Sequence, residues 1–212
     1  MSDWWPVTGS VRGHVASLGP VDAESMTRVF LPIEGEDDVT LTWREVAGVD
    51  ALDPEVRFQE LVPDYEERDV FPWSAAVPVD VVERLLAALA DAGLSGPVDL
   101  VGWDVYAEDR LWRSLGARSV EFAYGATRWH DGDHARLAEQ PLESLLSWAG
   151  NMAFFPVAVI PASHEWMIGA PGYSDSLYVS GPWALRQALE ERGLEVATVD
   201  RRSTASLPSD QD

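Results

Sequence analysis

The chain contains no lysine and no cysteine. Without lysine there is no Schiff-base nucleophile and no lysine-bearing phosphate loop. Without cysteine there is no thiolate nucleophile, no thiolate metal site and no disulfide. Positive charge of any kind is scarce. All 15 basic residues are arginine, against 36 acids, for a formal net charge of −21 over 212 residues. Such a field repels nucleic acid and anionic membranes and attracts basic surfaces. Neither nucleic acid nor a membrane is therefore an expected partner. Long apolar runs are missing too: the longest, 152–162, falls far short of the roughly 20 residues that span a bilayer. The opening residues Met1-Ser2-Asp3-Trp4-Trp5-Pro6 carry no basic region and no apolar core, so no signal peptide is expected. Together with the missing cysteine this suits the cytoplasm.

What is present is core-forming material. Hydrophobic residues make up 46% of the chain, with ten Trp, six Phe and five Tyr, so this is not a disordered acidic tail. The 26–33 stretch reads as a strand, and Val39, Leu41 and Trp43 alternate on one face of a second, giving a hairpin across the acidic turn 34–38. A short strand is expected at 58–62. The 63–78 segment, with three prolines and the acids Asp64, Glu66, Glu67 and Asp69, reads as an exposed connection and a sub-domain boundary. Asp80 with Glu83 three residues later has the form of a capping box. Val81, Val82, Leu85, Leu86 and Leu89 recur at helical spacing up to Gly93, so a helix is expected over 81–92.

Beyond it, strands are expected at 98–106 and 119–129, and a short helix at 108–115. Asp133 can cap a helix over 134–139, and Pro141 can start another to Trp148. A hairpin joins 154–160 to 165–168, a short strand follows at 177–179, and a last helix over 183–192 precedes a strand at 195–199. The pattern is α+β: a mixed or antiparallel sheet built from hairpins, with three to five helices packed on it. Residues 1–62 read as a β-rich part and 78–200 as an α+β part, forming one globule, with 201–212 a frayed tail.

Motifs that carry chemistry are few. His130-Asp131-Gly132-Asp133-His134 is the single metal-like cluster. Two His four apart on a helix, with a carboxylate such as Asp131, can hold one ion. Gly132 interrupts that helix and Asp133 suits a cap, so a polar loop is the plainer reading and no metal or other cofactor is expected. His164-Glu165 at a hairpin tip has acid–base residues where polar residues also serve solvation. Ser180-Gly181 lacks the flanking glycines of a nucleophile elbow and reads as a helix cap. No catalytic residue is assigned. The 107–122 stretch, with Leu111-Trp112 and Leu115-Gly116-Ala117, resembles a helix–strand step of acetyltransferases. That family's glycine loop for pyrophosphate is missing, so acetyl-coenzyme A is not expected.

The acidic segment Asp64, Glu66, Glu67 and Asp69, beside Tyr65, Phe71 and Trp73, suits a protein-binding surface, since aromatics dominate hot spots. Aromatic anchoring of a loop to the core is the alternative. The last third runs Phe155-Pro156-Val157-Ala158-Val159-Ile160, Trp166-Met167-Ile168-Gly169, then Ser174-Asp175-Ser176-Leu177-Tyr178-Val179-Ser180-Gly181 before a helix. In that rhythm it resembles small acidic bacterial proteins of the immunity type. The resemblance implies a cytosolic, non-enzymatic inhibitor with a basic partner, such as a nuclease or toxin with a cationic cleft, held by charge and shape. Two other readings stand beside it. One is a small-molecule-binding protein or hydrolase using the His130–His134 region. The other is an accessory protein whose acidity reflects salt adaptation or a GC-rich genome.

Overall fold

A computed structural model describes residues 19, 22–34, 39–68, 70–73, 76–103, 114–121, 134–149, 155–170, 174–200 and 202. The fold is α+β. Among the described residues its main sheet has eight strands: β1 (Ser25–Phe30), β5 (Pro97–Trp103), β6 (Arg118–Glu121), β7 (His134–Pro141), β8 (Ala158–Pro161), β9 (Met167–Gly169), β10 (Ser176–Gly181) and β11 (Val196–Thr198). They lie in the order β11-β1-β10-β9-β8-β5-β7-β6, and every pairing is antiparallel. A second sheet holds β2 (Ile33–Glu34), β3 (Thr40–Leu41) and β4 (Phe71–Pro72) in the order β3-β2-β4. Four α-helices are described: α1 (Trp43–Ala47), α2 (Phe58–Leu61), α3 (Val79–Asp91) and α4 (Trp183–Glu191). A 3-10 helix spans Leu142–Trp148. Among the described residues no helix is long and apolar enough to cross a membrane.

One face of the main sheet carries α3, α4 and the 3-10 helix. Their apolar stripes meet Val29, Leu100, Val159, Ile168 and Val179 in one core. Helix α3 buries Val81, Val82, Leu85, Ala88 and Leu89 as its spacing predicts, while Leu86 is only half-buried. The helix begins two residues earlier than expected. Pro78 is the N-cap, and Asp80 lies inside the first turn, paired with Arg84 one turn on. A first-turn carboxylate still favours the helix, through the dipole rather than as a cap. Gly93 follows the helix with φ 73°, a left-handed geometry that favours glycine.

The opposite face bears a smaller module on the sheet's β1 end. Phe30 from β1 packs there with Ile33, Trp43, Phe58, Val62 and Val70. The expected hairpin of 26–33 with 39–43 is reduced to the two-residue pairing of β2 with β3. Strand β1 pairs instead with β10 and β11 from the far end of the chain. It is buried along its whole length, the mark of a central strand that needs partners on both edges. Trp43 opens a helix, because Thr42 and Glu45 form a reciprocal capping box: Thr42 N–H donates to the Glu45 carboxylate at 2.8 Å and Glu45 N–H to Thr42 Oγ1 at 3.2 Å.

Two further segments change type. The expected strand at 58–62 is helix α2. Phe58 and Val62, four apart, are both buried, and Glu60 accepts the Arg57 N–H at 3.4 Å. The expected helix at 134–139 is strand β7, inserted between β5 and β6. Its residues carry adequate helix propensity, and a tertiary demand for a strand overrides it. The 154–168 hairpin and the 183–192 helix stand close to their expected places as β8–β9 and α4. Most of the expected helix at 108–115 and of the strand at 119–129, and all of the tail beyond 202, lie outside the described residues.

Candidate functional site

The smaller module is built outward from one buried cation. Arg28, 1% exposed, leaves β1 on the side away from the helices. Its Nε donates to Ser176 Oγ at 2.8 Å. One terminal nitrogen donates to the carbonyls of Pro54 (3.1 Å) and Val56 (2.7 Å), and the other to the Asp175 carboxylate (3.2 Å). Its guanidinium carbon lies 4.4 Å from the Phe30 ring centre and 5.3 Å from that of Trp43. A buried charge is tolerable only when paired and hydrogen-bonded, and this one is both. Glu195, also buried, completes the clamp. It accepts from Trp43 N–H at 2.8 Å, Arg44 N–H at 3.1 Å and Arg44 Nε at 2.9 Å, so a carboxylate beside β11 satisfies the open N-terminus of α1.

From Arg28 a ladder of rings runs to the surface. Centroids lie 4.9 Å apart for Phe30–Trp43, 5.1 Å for Trp43–Phe58, 6.0 Å for Phe58–Tyr65 and 5.6 Å for Tyr65–Phe71. The outer pairs meet edge to face, the favoured aromatic geometry. Trp43 and Phe58 are buried, Tyr65 is half-buried, and Phe71 ends the ladder 46% exposed.

The segment that carries the ladder is strongly acidic. Residues 33–73 hold thirteen Asp and Glu against three Arg, so this fifth of the chain carries nearly half of the net −21. Every acid of that stretch among the described residues is exposed: Glu34, Glu45, Asp50, Asp53, Glu55, Glu60, Asp64, Glu66 and Glu67. Asp64 meets Arg68 at 3.6 Å. The Tyr65 hydroxyl donates to Glu66 at 3.1 Å, and that bond, with burial and the Glu66 charge behind it, raises the phenol above its usual pKa. Glu45 is held below the usual carboxylate range, chiefly by the Thr42 backbone N–H and then by its hydroxyl.

The residues singled out from the sequence divide. Asp64, Glu66 and Glu67 are exposed on the turn after α2, with Tyr65 half-buried between them. Trp73 is separate from this patch. It packs on the main core, its backbone N–H donating to Pro32 O at 2.9 Å. Asp69, His130 and Asp131 lie outside the described residues. His134 begins β7, in register with Glu121 of β6. Among the described residues no group of three His, Asp or Glu could hold a metal ion.

The other reactive types serve the fold. Ser180, read as a cap, is a buried strand residue bonded to Met167 O at 3.3 Å. A side chain on Gly19 would collide with it. The N-terminus of α4 is met instead by Glu24, which accepts from Trp183 N–H at 3.1 Å. His164 sits in the hairpin turn with φ 58°. Burial pushes its pKa down, against an opposing pull from Asp99. Sequence reading missed Arg28, Glu195 and Glu34. The Thr42-x-x-Glu45 spacing was a legible signal for α1, whereas the contacts of Arg28 with Asp175 and Ser176, and of Glu195 with α1, span some 150 residues and leave no local trace. Comparison of the chain with family models, curated proteins and solved structures yields no match.

Proposed function

We propose that the protein is a non-enzymatic, acidic binding protein of the cytoplasm, an immunity-like inhibitor that occupies the cationic cleft of a basic toxin or nuclease. The observation that carries this reading is the run of exposed carboxylates on the segment that builds the smaller module, together with the exposed ring of Phe71. Solvent-exposed acids of one sign speed association with a basic surface, and anchored aromatics supply short-range affinity once contact is made. The module is clamped to the main sheet through Arg28 and Glu195, so its surface is presented ready-made and little ordering entropy opposes binding.

The test uses the intact protein and a quadruple variant, Asp64→Asn, Glu66→Gln, Glu67→Gln and Asp69→Asn. Binding to a purified basic protein captured from the native lysate is followed by stopped flow at two salt concentrations. The variant should associate more slowly, with a shallower salt dependence and an unchanged thermal midpoint. If the lysate yields no saturable basic partner while the protein's stability rises steeply with salt, the acidity is an environmental adaptation and the inhibitor reading fails.

A further inference from the structure

We infer that the outer end of the aromatic ladder, Phe71 and Tyr65 flanked by Glu34 and Glu66, receives an arginine side chain of the basic protein partner. This rests on the binding reading above and gives that contact its chemistry. Phe71 and Glu34 are directly opposite in the β2–β4 register, and both are exposed. Their side chains therefore share the solvent face of the small sheet as cross-strand neighbours, about 5 Å apart at Cβ. Tyr65 meets Phe71 at 85° between ring planes, and its hydroxyl donates to the Glu66 carboxylate at 3.1 Å. The exposed ring thus has one carboxylate opposite it in the register and a second held by the ring it touches.

The same ladder shows at its inner end what such a set accepts. There a guanidinium lies over two rings and reaches a carboxylate, in the group of Arg28, Phe30, Trp43 and Asp175. At the outer end the rings and carboxylates recur. Charge complementarity selects a cation. The flat ring selects guanidinium over ammonium, because guanidinium is planar, less strongly hydrated and able to stack while bonding carboxylates. The rings beneath Phe71 hold it in place, so it need not be ordered on binding.

The experiment uses three fluorescein-labelled hexapeptides, in which glycine alternates with arginine, lysine or glutamine, titrated by fluorescence anisotropy against the intact protein. The arginine peptide should bind about two- to fivefold more tightly than the lysine peptide, the range of an exposed cation–π contact. Phe71→Leu should abolish that preference while leaving most of the lysine peptide's affinity, since the carboxylates remain. If that variant folds poorly, wild-type aromatic carbon NMR decides: the Phe71 and Tyr65 ring signals should shift with the arginine peptide more than with the lysine peptide. Equal affinity for the two cationic peptides, or a preference that survives Phe71→Leu, overturns the arginine site and leaves the acidic surface intact. If neither cationic peptide binds better than the glutamine peptide, the acidic-surface reading fails along with it.

Discussion

Replacing Arg28 by methionine tests whether one buried cation holds the smaller module to the sheet. Methionine keeps much of the aliphatic bulk against Phe30 and Trp43 but removes every donor. The carbonyls of Pro54 and Val56 lose their guanidinium partner, and Asp175 loses its cation, keeping the Ser176 hydroxyl at 2.8 Å. Breaking a buried pair from one side costs about 3–5 kcal/mol. Asp175, whose side chain is 13% exposed, can recover some solvation, which places the expected loss towards the lower end. Asp175→Asn retains an acceptor for Arg28 and should cost about 1–2 kcal/mol. The double variant should lose less than the two single losses together by about 1 kcal/mol or more, because an unpaired carboxylate is no longer left behind. Urea denaturation followed by circular dichroism gives all four stabilities, and hydrogen exchange over residues 54–58 should accelerate in Arg28→Met. A loss below about 1 kcal/mol in Arg28→Met, or strict additivity, would refute the clamp.

Three further outcomes are expected. Leu85→Ala should destabilise by about 2–5 kcal/mol and Leu86→Ala by clearly less, in chemical denaturation, because Leu85 is fully buried and Leu86 only partly. Glu195→Ala should cost about 1–3 kcal/mol by stranding the N–H groups of Trp43 and Arg44, whereas Arg44→Ala should cost under about 1 kcal/mol, its side chain being half-exposed. His164 has a folded pKa below its ordinary 6.5 because burial disfavours the imidazolium. The unfolded chain therefore binds that proton first as pH falls. The histidine's contribution is complete above the unfolded value and is lost as pH drops through the folded one. His164→Asn, which tolerates the left-handed backbone, should lose less stability between pH 7.5 and 5.5 than the wild type; equal losses by urea midpoint would show that His164 does not titrate in this way.

Elements whose signals lie within one turn or one hairpin were legible in the sequence. The stripe of α3, the glycine stop at Gly93, the 154–168 hairpin and the final helix all depend on spacing of a few residues, and they stand close to where spacing puts them. The acids at 64, 66 and 67 were legible as an exposed group for the same reason. The failures share one cause. Strand β7 has the composition of a helix and is extended because β5 and β6 need a strand between them. Phe58 and Val62 have helical spacing, but a five-residue apolar stretch is too short for period alone to decide between helix and strand.

By itself the sequence determined the charge, the excluded chemistries and the α+β class, because these follow from composition and from periodicities that any folded state must respect. It concentrated the acids between residues 33 and 73. Only the tertiary structure decided how that segment is anchored. Strand β1 finds its partners at 176–181 and 196–198, and closing the sheet this way brings Asp175 and Ser176 to Arg28 and Glu195 to α1. Those contacts join residues roughly 150 positions apart, where no local pattern constrains the pairing and burial of the whole strand does. That closure anchors to the main sheet the segment that carries the ladder from Phe30 to Phe71. The exposed ring and its two carboxylates come from one segment, and the anchor that holds them comes from the whole fold.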